Sequence, residues 1–118
     1  MLPNLHRQSY QNFKQVLQQL QNTAVSLDTL GLRQKFLETQ QFFQQQIVSL
    51  NAGDLEPVDE SRVRSYQTEM SKQLQLLGMD VTFLQAARQP ATVQQRLKSV
   101  GDRIQTLISY CDVLLQLD

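Results

Sequence analysis

The sequence predicts an all-α fold, an antiparallel up-down-up-down four-helix bundle built from two long helical hairpins, and three observations predict it. Apolar residues recur at alternating spacings of three and four in four separate blocks, the period of a helix that buries one face. Four glycines and three prolines among 118 residues are too few for a loop-rich or all-β chain. Glutamine, a good helix former, occupies outward positions where charge usually stands, and charged residues make up only 19% of the chain.

The first block carries Tyr10, Phe13, Leu17, Leu20, Ala24 and Leu27, with Pro3 or Asn4 as its start. A break follows between Ser26 and Leu32, where Asp28 or Thr29 is placed to cap the next helix and Gly31 loosens the chain. The second block runs through Leu32, Phe36, Gln40, Phe43, Ile47 and Leu50. Gly53 stands where a left-handed helix terminator is expected. Residues 51–58, with Gly53 and Pro57, read as the clearest loop.

Asp59 is the expected N-cap of the third helix, Glu60 favours its dipole, and Val58 and Val63 have the spacing of a hydrophobic staple. The third block carries Val63, Tyr66, Met70, Leu74, Leu77, Val81 and Leu84, and Pro90 is expected to end it. Thr92 and Gln95 match a capping box for the fourth helix. Its seam, Val93, Leu97, Val100, Ile104, Leu107, Cys111 and Leu114, alternates four and three without a fault.

One domain spanning residues 1–118 follows from the length. Two other arrangements stay open. Long hairpins can complete their core by dimerising, and three long helices result if the break near Asp28 is not real.

Composition excludes several kinds of chemistry. One histidine, His6, and one cysteine, Cys111, cannot build a zinc or di-iron site, and no Glu-x-x-His pair occurs. Cys111 falls on the seam between Leu107 and Leu114, where a thiol serves as a small hydrophobe. His6 reads as a terminal helix residue. Gly78 and Gly101 lie inside helices at about 1 kcal/mol each relative to Ala, marking a close backbone approach or a kink. No catalytic residues and no cofactor are therefore expected. A formal net charge of zero, with both signs interspersed, argues against nucleic acid. No apolar run approaches a membrane span, residues 1–10 hold no secretory signal, and a lone thiol suits the reducing cytoplasm.

One feature is left over. With the third helix's seam assigned to the core, Leu76, Met79 and Phe83 remain at i, i+3 and i+7 on the opposite side of the helix. Phe42 stands beside the seam residue Phe43 and is expected to point outward in the same register. These four are the candidate partner-binding residues, with Lys72, Asp80 and Arg88 as a polar rim. The stripe serves either a partner or neighbouring helices within the bundle.

The pattern Tyr10-x-x-Phe13-x-x-x-Leu17-x-x-Leu20, in a small glutamine-rich helical chain, resembles PatD, the heterocyst-frequency control family of filamentous cyanobacteria. That resemblance implies a non-enzymatic regulator of cell differentiation that binds the tubulin-like division protein FtsZ and modulates its assembly. Two further readings come from other classes: a structural subunit acting as an obligate homodimer, and a carrier of a small molecule or pigment in the bundle interior.

Overall fold

The computed structural model describes residues 2–26 and 28–117. Among them stand four α-helices: α1 (Asn4–Val25), α2 (Thr29–Phe42), α3 (Pro57–Ala86) and α4 (Pro90–Leu115). A π-helical segment (Phe43–Val48) continues α2, a single 3-10 turn (Ala52–Asp54) follows, and no strand is present among the described residues. Helix α3 packs on α4, α1 on α4, α1 on α2 and α2 on α3, in a rod of 50 × 19 × 19 Å.

Helix α1 opens on the Pro3 carbonyl, which accepts from Arg7 N at 2.9 Å, and buries Tyr10, Phe13, Leu17, Leu20 and Ala24 as the spacing requires. Leu27, expected on the same stripe, lies outside the described residues. Two polar residues share the buried face. Ser9 is one and His6, only 1% exposed, is the other, so this residue near the start of α1 also joins the core. The break near Asp28 is real. The Asp28 carboxylate caps α2 by accepting from Gly31 N at 2.9 Å. Gly31 belongs to the first turn of α2, where a Cβ would come 2.2 Å from that carboxylate.

Thr39 replaces Gln40 on the buried seam of α2, its hydroxyl donating to the Lys35 carbonyl at 2.7 Å. A hydroxyl satisfied within its own helix is buried at low cost, whereas a glutamine amide needs outside partners. Past Phe42 the helix widens, and Phe43 and Ile47, four apart, both lie in the core. Gln67 of α3 donates to the Ile47 carbonyl at 3.4 Å and to the Tyr10 hydroxyl at 2.9 Å, joining three elements through one amide. The segment ends at Ser49 with right-handed geometry, its hydroxyl donating to the Gln45 carbonyl. No left-handed terminator is needed. Gly53 sits instead in the 3-10 turn, its N–H donating to Asn51 Oδ1 at 2.9 Å.

Proline fixes both later helix starts. Pro57 and Pro90 each open a helix, with Glu56 and Gln89 at the caps. Asp59 therefore lies in the first turn of α3 instead of capping it, and Thr92 and Gln95 lie inside α4. Val58 is 73% exposed and forms no staple with Val63. Helix α3 ends at Ala86, before the extended Ala87, so Pro90 starts the next helix and does not stop the previous one.

The core joins these faces in one cluster: Phe13, Leu17, Phe43, Met70, Leu77, Ile104 and Leu107 are all essentially inaccessible. The bonds that tie α1 to α4 are peripheral. Lys14 Nζ lies 2.6 Å from Asp112, and Arg7 donates to the Leu115 carbonyl at 2.9 Å, satisfying an orphan acceptor at the end of α4.

Candidate functional site

Helices α2 and α3 approach closely at Gly78. A Cβ there would stand 2.9 Å from Cζ of Phe36, so the ring packs directly on the α3 backbone. Beside this contact an open groove runs along the outer surface of α3, lined by Phe36, Gly78 and Leu74. Leu76, Met79 and Phe83 line it too, together with Gln40 of α2. The three α3 residues picked out by spacing thus meet in one place. Met79 is 53% and Phe83 44% exposed, while Leu76 is half-buried.

Phe42 is not part of the groove. Its ring stacks on that of Phe13, with centroids 6.0 Å apart and planes 7° from parallel, and it packs half-buried against the core. The stacking partner comes from α1, which spacing along α2 cannot show.

Asp80 also leaves the place expected for it. It is 6% exposed, accepts from Arg103 Nε at 2.8 Å, and lies 3.7 Å from Arg96. An acidic residue expected at the rim is a buried tie between α3 and α4. Arg96 in turn lies over the Phe83 ring, its guanidinium carbon 4.6 Å from the centroid. One edge of the groove is therefore held by a cation from α4, which the pattern of α3 gave no means of finding. Gly78 and Phe36 were more accessible to reasoning: a glycine inside a long helix implied a close neighbour, though not which one.

Two buried groups lie away from the groove. Cys111 is fully buried, and burial, followed by the Asp112 charge, pushes its thiol up to about 12. The resulting group is a packed hydrophobe and not a thiolate nucleophile. His6 borders a cavity of about 30 Å³ shared with Gln67 and Arg64. Neither ring nitrogen has a hydrogen-bond partner among the described residues, and Asp54 Oδ2 stands 3.9 Å from Nε2. Among the described residues, no group of three or more His, Cys, Asp or Glu side chains is arranged to hold a metal ion. None of the described helices is long and apolar enough to cross a membrane.

No curated protein and no solved structure matches the chain. A family profile does, that of the CRR41 C-terminal domain, over residues 43–111. This overturns the resemblance to PatD. Tyr10, Phe13, Leu17 and Leu20, the residues that suggested it, lie outside the matched stretch and are all core residues of α1, so their spacing reports helix packing and not ancestry. The expectations of a role in heterocyst differentiation and of FtsZ as partner lose their basis with it. The match spans the π-helical segment, all of α3 and most of α4, more than half of the sequence, and the chain belongs to the CRR41 C-terminal domain family.

Proposed function

We propose that this chain is a non-catalytic protein-binding module, an antiparallel up-down-up-down bundle whose groove beside Gly78 receives a partner. The observation that carries the reading is the exposure of Met79 and Phe83 along a furrow already floored by Phe36 and Leu74. Large apolar side chains gathered around a concavity gain when a partner removes them from water, and Met and Phe are frequent interface anchors. Membership of a family described as a C-terminal domain suits a module that serves a larger protein. A reducing compartment such as the cytoplasm suits its lone, buried thiol.

The test uses Met79→Gln with Phe83→Gln, both at exposed positions, so the fold is expected to survive by circular dichroism. Proteins retained from a native extract by the unaltered chain should be lost with the double variant. Equal retention by both chains sinks the reading.

A further inference from the structure

The charges around the groove select the chemistry of its occupant. Formal net charge over the whole chain is zero, yet its distribution here is one-sided. Between Met70 and Pro90 the sole acidic residue is Asp80, which is buried and engaged by Arg103 and Arg96. The solvent-facing charges of that stretch are Lys72 and Arg88, both cationic. Lys72 lies four and seven positions before Leu76 and Met79, on the same helical stripe, and Arg88 stands just past the end of α3. Across the groove, α2 carries Arg33, Lys35 and Glu38, and Lys35 pairs with Glu38 at 3.4 Å. Arg33 is left over. Arg96 adds a fourth cation where it covers Phe83. Along α3 the preceding acid is Glu69, seven positions before Leu76 and beyond Lys72.

Building on the binding role proposed above, we infer that the groove's occupant is an acidic amphipathic helix of a protein partner. Its apolar face lies on Leu76, Met79 and Phe83, and its flanking carboxylates meet Lys72, Arg88 and Arg33. A helix fits a furrow that follows one helix over the two turns from Leu76 to Phe83, because side chains at i, i+3 or i+4 and i+7 match that spacing. Surrounding cations raise the encounter rate with an acidic segment and disfavour a basic one. An anionic bilayer is the weaker fit. Interfacial binding calls for a protruding apolar face, whereas here the apolar surface lines a furrow.

A display library of helical 14-residue peptides tests this, with leucine fixed at helical spacing and Glu, Gln or Lys elsewhere. The unaltered chain should enrich Glu-rich over Lys-rich peptides by about tenfold or more, and salt should weaken their binding. Lys72→Glu with Arg88→Glu should invert the preference, while Met79→Gln with Phe83→Gln should abolish enrichment of both kinds. Enrichment that needs Met79 and Phe83 but ignores peptide charge overturns the acidic preference and leaves the binding role standing. Absence of any enrichment that depends on Met79 and Phe83 overturns both. Two controls bear on the occupant. Sedimentation with phosphatidylserine–phosphatidylcholine vesicles that is lost in Lys72→Glu with Arg88→Glu assigns the groove to a membrane. Dimerisation that disappears in Met79→Gln with Phe83→Gln assigns it to a second copy of the chain. Either result overturns the inference.

Discussion

Tyr10 and Cys111 are the two ionisable side chains that burial shifts furthest from their ordinary behaviour. Desolvation raises the Tyr10 hydroxyl from 10.0 to about 12, opposed by the hydrogen bond from Gln67, and raises the Cys111 thiol from 9.0 to about 12. Both are neutral in the folded chain at neutral pH and would have to be buried as anions in alkali. Their contribution to stability is complete below the unfolded-state values. It declines as pH rises, because the unfolded chain then binds fewer protons than the folded one. The unfolding free energy should fall between pH 9 and 12, each group adding a slope of up to about 1.4 kcal/mol per pH unit. Urea titrations across that range test it: Cys111→Ala should remove the part that begins near pH 9, and Tyr10→Phe the part that begins near pH 10. Unchanged slopes in both variants would contradict the assignment.

Other single residues show how far the pattern could be followed. Cys111 between Leu107 and Leu114 was legible as core from its spacing alone. His6, a terminal residue of α1, has a burial that was equally legible, since it precedes Tyr10 by four and Phe13 by seven on the same stripe. Asp80, expected at the rim, falls instead between the seam residues Leu77 and Leu84 and is buried with them. Its partners, Arg96 and Arg103, come from another helix, and no local pattern along α3 announces them.

At the scale of the helices, Gly78 and Gly101 present a matched comparison. Both lie within helices, where alanine is favoured by about 1 kcal/mol. A Cβ at Gly101 meets nothing within 4 Å, whereas one at Gly78 meets the Phe36 ring. Gly101→Ala should therefore stabilise the chain by up to about 1 kcal/mol in urea unfolding. Gly78→Ala should fall short of that gain by about 1 kcal/mol or more, since crowding a packed contact costs about 1–3 kcal/mol. Equal gains at the two positions would mean that the Phe36 contact exerts no constraint.

Helix existence and burial were readable because apolar period and burial are the same physical fact. Helix ends were less readable, since several residues near each boundary have capping chemistry and only one is used. At Asp28 a carboxylate won. At Pro57 and Pro90 the fixed proline φ set the first turn, so Asp59 and Thr92 were left inside their helices. The π-helical turn was invisible for a different reason. A four-residue step from Phe43 to Ile47 is also an ordinary α-helical step, so apolar spacing cannot distinguish the two. Of the candidate site, Leu76, Met79 and Phe83 were legible as a surplus over the seam. The opposite wall and the Arg96 cover depended on which helices became neighbours.

Across the described residues, the start of α1 and the close of α4 are neighbours. Arg7, in the first turn of α1, reaches the Leu115 carbonyl at the close of α4, so residues near 3 and near 116 emerge at one pole of the rod. A short glycine-serine bridge across that gap, with new termini opened in the 87–89 connection, yields a circular permutant that keeps every helix intact. It should unfold cooperatively, with a urea midpoint close to that of the natural order. A permutant that fails to fold would show that the connection between α3 and α4 does more than join them. The same geometry makes that pole a handle for tethering the protein to a bead or a surface, with the flank at Met79 and Phe83 turned toward solution.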